Sequence, residues 1–348
     1  MVVLSMEINK IQYKKPFYPI RKSLRNHLSK YVQNIDLPID YGDLLNYTDL
    51  IPVVDREGND TLWYSVLYSQ SELAFFQREL TRLYHLLMGS GYDNPYLKIG
   101  SIEFCSFGNS KPFRIKIVNE VNDNYDFFYI KRADSSRVFG LELEDIFSPD
   151  KVSFLVGKDT VLEQHIVGIP VDEFILKNKN VKIENRLRFA KEFVKFNERC
   201  FTRLLGDMRA YNFVVEIIQD FDNVQYRLRA IDFDQQSYEG RKSIYLPQYY
   251  KENIELVGLA SELLSKRVAE QYVREERLAM KKRFAANKAR TRSIMNCMRR
   301  SRISTPENII QLSNELAKHH DDPRFTKLTN MGDVLTLHLE NQLGIVIY

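Results

Sequence analysis

The chain has 348 residues, of which 44% are hydrophobic, 28% charged and 12% aromatic, and its 50 Lys+Arg against 46 Asp+Glu give a formal net charge of +4. That length suits one two-lobed unit or about two domains with ample material for a core, and the composition excludes a disordered or collagen-like chain. The apolar runs fall far short of the ~18 residues of a membrane span, and Met1-Val2-Val3-Leu4-Ser5 does not read as a signal peptide. Cys105, Cys200 and Cys297 are odd in number and widely spaced, with no Cys-x-x-Cys pair, so neither a disulfide framework nor a structural zinc site is indicated. A soluble protein of a reducing cytoplasm is the expectation.

The first segment, residues 1–95, combines a short helix, a hairpin and a longer helix. Ile51 to Val54 and Leu62 to Tyr68 predict two strands joined through Gly58 and Asn59, which tolerate turn geometry. Ser69 or Ser71 then caps a helix with Leu73, Phe76, Leu80, Leu83 and Leu87 at three- and four-residue steps, stopped by Gly89-Ser90-Gly91. From residue 96 to 168 the period changes. Ile102–Phe107, Phe113–Val118 and Tyr125–Lys131 predict an antiparallel meander, followed by a helix from Arg137 to Phe147 and by strands over Val152–Val156 and Thr160–Val167. Residues 169–348 are mainly helical. A helix over Ile183–Leu205, with Leu187, Ala190, Val194, Phe201 and Leu205 on one face, precedes a hairpin of Phe213–Ile218 and Tyr226–Asp234. Strands followed by helices predict an α+β protein of two lobes.

Charge is concentrated near the C-terminus, where Lys266 to Arg302 hold 13 Lys/Arg and 3 Asp/Glu. With Val268, Tyr272, Leu278, Phe284, Ile294 and Met298 interleaved and no Gly or Pro, this predicts one or two amphipathic helices. A solvated face is the simplest reading; an anionic partner is the functional one, with nucleic acid the less favoured kind. His319-His320-Asp321-Asp322 reads as a solvated loop rather than a metal site, because neighbouring side chains in a loop diverge. No Gly-x-Ser-x-Gly elbow and no Gly-x4-Gly-Lys-Ser/Thr loop occur.

The informative stretch is Leu205-Gly206-Asp207-Met208-Arg209-Ala210-Tyr211-Asn212, where Asp207 stands five residues before Asn212, followed at the exit of the hairpin by Ile231-Asp232-Phe233-Asp234. Phosphoryl transfer from a nucleotide needs one carboxylate to orient the acceptor hydroxyl, and a second carboxylate with an amide oxygen to hold magnesium against the phosphates. Asp207, Asp232 and Asn212 supply those groups in that order.

On these residues the chain resembles the protein-kinase-like superfamily, and within it the aminoglycoside and choline phosphotransferase branch, across about residues 100–240. The resemblance implies a two-lobed α+β fold: an antiparallel-sheet N-lobe over 96–168, a helical C-lobe over 169–348 that ends in the basic helices at 266–302, and an N-terminal extension over 1–95. It implies Asp207 as catalytic base with Arg209 assisting, Asn212 and Asp232 as magnesium ligands with Asp234 beside them, and ATP and Mg2+ as cofactors. Phe128-Tyr129-Ile130-Lys131 is similar to the strand that carries the phosphate-binding lysine, so Lys131 takes that role, with Glu142 or Glu144 on the next helix as its partner. Val161 to Gly168, with Glu163 and His165, looks like the adenine-binding linker, and Gly108-Asn109-Ser110 occupies the place of the phosphate-covering turn. The expected activity is transfer of the γ-phosphoryl group to an unidentified hydroxyl-bearing acceptor. The alternative is a catalytically inactive kinase-like binding protein that docks a partner through its basic helices. Tyr129, two residues before Lys131 on the same strand face, would crowd an adenine pocket.

Overall fold

The computed structural model describes residues 15–55, 57–89, 94–107, 110–177, 186–220 and 223–348. After helix α1 (Lys22–Ser29) come the strands β1 (Asp49–Val54) and β2 (Asp60–Leu67), helix α2 (Gln70–Met88), strands β3 (Leu97–Cys105), β4 (Phe113–Asn119) and β5 (Tyr125–Arg132), helix α3 (Ser135–Phe147), and strands β6 (Phe154–Val156) and β7 (Thr160–Gln164). These seven strands form one sheet in the order β1-β2-β3-β4-β5-β7-β6, every neighbouring pair antiparallel. The hairpin β1–β2 continues the meander, with Tyr64 opposite Phe104 and Ser65 opposite Glu103.

Period-two alternation gives this sheet two unlike faces. Phe104, Phe113, Ile115, Phe128, Ile130 and Leu162 are buried in one core cluster with Phe76, Leu80, Leu83 and Leu87 of α2. The other face carries a polar row in which Glu103 stands opposite Arg114, Arg114 opposite Tyr129 and Tyr129 opposite Glu163. Helix α2 forms where its pattern predicts: Ser69 and Glu72 make a reciprocal capping box, and Gly89 closes the helix at φ 66°, a left-handed conformation that costs glycine little. Leu73, counted with the apolar stripe from spacing alone, is exposed.

The rest of the chain runs β8 (Ile169–Pro170), α4 (Val171–Lys177), α5 (Arg186–Arg203), β9 (Phe213–Asp220), β10 (Asn223–Ala230), α6 (Ile254–Leu263), α7 (Lys266–Ala286), α8 (Lys288–Arg299), α9 (Pro306–His320) and α10 (Met331–Leu343). A small sheet of order β10-β9-β8 holds the hairpin. The buried face of α5 is aromatic, built on Phe189, Phe193, Phe196 and Phe201, whereas Leu187 is exposed. Four rings outcompete one leucine for burial because each removes more apolar surface from water. The start expected for this helix, residues 183–185, lies outside the described residues.

Helix α3 is buried along nearly its whole length, only Asp145 being partly exposed. It begins at Ser135, two residues before the start expected from sequence, because the Asp134 carboxylate accepts the Ser136 N–H at 2.9 Å and caps it. Among the described residues no helix is long and apolar enough to cross a membrane. The chain is thus a mixed α/β protein with a large antiparallel sheet and many helices.

Candidate active site

Asp207 follows the C-terminus of α5 on a backbone with two left-handed residues, Leu204 at φ 52° and Asp207 at φ 58°. Such a backbone costs a leucine more than an aspartate, and the segment opposite holds it in place. Leu205 bridges Gln236, Ser237 N–H donates to Leu204 O at 2.8 Å, and Gly206 N–H donates to Gln235 O at 3.3 Å. A Cβ on Gly206 would lie 3.2 Å from that same Gln235 oxygen and 3.1 Å from Ile244, so glycine permits the approach. The Asp207 segment and the stretch that follows Asp234 therefore lie side by side.

Residues 207–212 form a tight loop closed on its first residue. Asn212 Nδ2 donates to Asp207 O at 2.7 Å, and Asn212 O accepts the Ile231 N–H at 3.0 Å, which sets the start of Ile231-Asp232-Phe233-Asp234 against Asn212. Arg209 Nε donates to Asp207 Oδ1 at 2.8 Å while its Nη1 donates to Glu252 Oε1 at 3.0 Å. The Asp207 N–H points to the Tyr250 hydroxyl at 3.1 Å. Burial pushes the Asp207 carboxyl above its ordinary value, Arg209 opposes that and Glu252 adds to it. A carboxylate so raised is a better proton acceptor.

Beyond β10 the backbone turns, and both aspartates sit in the turn rather than on the strand expected to reach Asp234. Asp232 Oδ1 accepts the Asp234 N–H at 3.0 Å. Arg137, from the first turn of α3, brings Nη1 to Asp232 Oδ1 at 3.0 Å and to Asp234 Oδ1 at 2.7 Å. The other side of the same guanidinium meets Glu163: Nη2 is 2.8 Å from Oε2, and Nε bonds Oε1. Lys131 Nζ completes the group at 2.8 Å from Glu163 Oε2. Two cations thus face three carboxylates in a largely buried setting. Burial would raise the Glu163 carboxyl, but Arg137 and Lys131 outweigh it and hold it at about 2. Asp234 is likewise drawn below its ordinary value by Arg137 against the effect of burial. Asp232 is pushed up by burial and by Asp234. Lys131 is pushed down by burial and by Arg137.

The expected partners of Lys131 are corrected by this geometry. Glu142 accepts from His27 Nε2 at 2.6 Å and from Arg290 Nε and Nη2, each at 2.6 Å, and Glu144 pairs with Arg203 of α5. Helical geometry explains both. At about 100° per residue, Glu142 lies roughly 140° around α3 from Arg137, and Glu144 shares its face but sits about two turns further along. Glu163 and His165, expected to lie in a linker, belong to or adjoin β7. The Glu163 side chain is the buried counter-ion of Lys131, and His165 Nδ1 lies 3.1 Å from the Tyr129 hydroxyl, with burial lowering the imidazole's proton affinity. Tyr129 packs at 6.4 Å from Trp63, and the Arg114 guanidinium lies 4.3 Å over the Trp63 ring. Gly108 and Asn109, the expected phosphate-covering turn, lie outside the described residues.

Arg137 escaped the sequence reading, which sought an acidic partner for Lys131 on α3. The available signal was Glu163, a charge directly after the apolar pair Val161-Leu162 in a strand-like run. A buried carboxylate there demands more than one cation. Among the described residues no group of three or more His, Cys, Asp or Glu is placed to hold a metal, His319 to Asp322 included. His319 and His320 belong to the last turn of α9 rather than to a loop, and His320 Nε2 is 2.8 Å from His338 Nδ1.

No protein-family model matches the chain, and no curated protein matches it. Among solved structures, the crystal structure of Rad53 kinase domain and SCD2 in complex with AMPPNP is similar at 13% identity, covering 65% of this chain and 94% of that chain with a TM-score of 0.26. A likeness of that size is too slight to carry an assignment, so the chemistry has to be read from the chain's own side chains.

Proposed function

We propose that the chain is a kinase-like phosphotransferase of two lobes that moves the γ-phosphoryl group of ATP to a hydroxyl-bearing acceptor. The observation that carries this reading is the joining of two distant segments: the Gly206–Gln235 and Asn212–Ile231 hydrogen bonds set Asp207 and Asn212 beside the Asp232 turn, and Arg137 links that turn to Lys131 on the sheet. In this reading the acceptor oxygen bonds to phosphorus as the bond to the ADP oxygen breaks, and the hydroxyl proton passes to Asp207. Arg209, anchored by Glu252, steadies charge that builds beside Asp207. Lys131 faces the phosphates, and Tyr129, which packs against Trp63 and meets His165, narrows the space left for the base on that side of the sheet.

The donor set suits a hard divalent cation. Among the described residues no hydrogen bond reaches Asp232 Oδ2 or Asn212 Oδ1, and magnesium is commonly held by one or two carboxylates together with substrate phosphates. Asp232 and Asn212 would hold it, while Asp234 is engaged by Arg137. Bound there, the ion would supply charge neutralisation at the phosphates.

The test is ATP turnover with a panel of small hydroxyl compounds, comparing wild type with Asp207→Asn and Asp232→Asn. Each change should lower turnover by at least ~100-fold, the lower end of general-base effects; full activity in both would remove the assignment. A second reading, a kinase-like protein that binds without turnover, is favoured by one observation: Arg137 Nη1 already occupies Asp232 Oδ1. MgATP binding by a protein that never turns it over would decide for it.

A further inference from the structure

The C-terminal end of α8 meets the N-terminal turns of α9 and α10 around a cavity of about 300 Å³. Arg21, Arg299, Arg300 and Arg302 line it, together with Ser301 and Asn330, and among its described lining residues there is no carboxylate. Charge compensation is thin. Arg299 pairs with Asp333 at 2.5 Å and lies 4.0 Å from the centroid of the Tyr348 ring. Arg21 Nη1 donates to Arg300 O at 2.7 Å, a carbonyl rather than a carboxylate. Among the described residues neither Arg300 nor Arg302 has an ion-pair partner within 4.0 Å.

Arg21, Arg300 and Arg302 are exposed and Arg299 half-buried, so an anion can reach the cavity from solvent, and the planar guanidinium forks match phosphate oxygens. The surrounding chain is already fixed. Ser301 is buried and gives its hydroxyl proton to Cys297 O at 2.9 Å, and Ser304 is buried and bonds Tyr238 O. Arg300 and Arg302 therefore project from an anchored stretch of backbone, which lowers the ordering cost of a ligand. The positive ends of α9 and α10 add to the same field.

We propose that this cavity binds a small phosphate-bearing anion at a site separate from the Asp207–Asp232 centre. The proposal is independent of the phosphotransfer reading. It also narrows the anionic partner expected for residues 266–302 to the end of that segment, since several other cations there are spent on internal acids, Arg290 on Glu142 and Asp145 and Arg277 on Glu198.

The test is calorimetric titration of the full chain with inorganic pyrophosphate at fixed ionic strength, without nucleotide or magnesium. Wild type and Asp232→Asn should bind alike, and Arg300→Gln/Arg302→Gln should bind at least about tenfold more weakly. Arg267→Gln/Lys282→Gln, which removes two exposed cations from α7, should leave binding unchanged. Glucose 6-phosphate as a second titrant separates a phosphoester ligand from a bare polyphosphate. No binding in wild type, equal binding in the Arg300/Arg302 pair, or an equal loss in the α7 pair would each overturn the proposal. Thermal unfolding of both pairs without titrant shows that the fold is intact.

Discussion

Arg137 is fully enclosed and serves three carboxylates from two separate parts of the chain. Removing one member of such a group leaves the others charged and desolvated, which typically costs about 3–5 kcal/mol. Arg137→Ala should therefore lower unfolding stability by about that much in urea titration, and Arg137→Lys should recover only part because an ammonium cannot span both sides as a fork does. A loss below about 1 kcal/mol in Arg137→Ala would mean that the network contributes little. Asp207 has its own signature. Since burial raises its carboxyl, the acid limb of the rate profile should fall at a higher pH than an ordinary aspartate gives, and the limb should vanish from the residual activity of Asp207→Asn. At this scale the spacing of Asp207 and Asn212 was legible because both lie in one short loop, whereas the approach of the Asp232 turn depends on the hydrogen bond from Ile231 to Asn212 across the hairpin. The partner of Lys131 was not legible, since it depends on strand register: Glu163 reaches Lys131 only because β7 pairs with β5, with Lys131 opposite Val161 and Tyr129 opposite Glu163.

Elements were the most legible level. The helix over residues 70–88 followed from Ser69, the apolar step pattern and Gly89, and the meander from alternation. Ser69→Ala should cost about 1 kcal/mol in thermal or chemical unfolding through loss of the cap on α2. What the sequence concealed is how closely α3 approaches the Asp232 turn. A Cβ on Gly140 would come within 2.9 Å of Phe233 Cβ and 3.2 Å of Gln236 Cβ. Gly140→Ala should therefore force the helix away from the turn, costing about 1–3 kcal/mol and lowering turnover, if the chain is active, more than a surface Gly→Ala such as Gly258→Ala, whose new methyl meets nothing within 4 Å. Equal effects of the two substitutions would show that the approach of α3 is not needed.

Across the whole molecule, the acid response is set partly by His320 and His338, which lie within hydrogen-bond distance of each other, His338 being fully buried and also 3.0 Å from Phe201 O. Burial lowers His320 to about 4 and holds His338 well below the ordinary histidine range. The unfolded chain takes up protons below the ordinary histidine range while the folded one does not, so stability should fall as pH drops from about 6.5 towards 4. His338→Asn should flatten that slope in a series of melting curves; an unchanged slope would place the acid sensitivity elsewhere.

The encasement of α3 also bears on how the polypeptide can be cut. Arg203, Arg290 and Arg283, all C-terminal to residue 168, supply the Glu144 and Glu142 carboxylates and the Phe147 carbonyl at the far end of that helix with their donors. A truncation after Gly168 would remove those donors and expose the apolar residues of α3 that pack against the C-terminal part, and the shorter product should precipitate on expression. Supplying residues 169–348 as a separate polypeptide should return it to solution, so that a boundary plausible from composition behaves as a seam that neither piece survives alone.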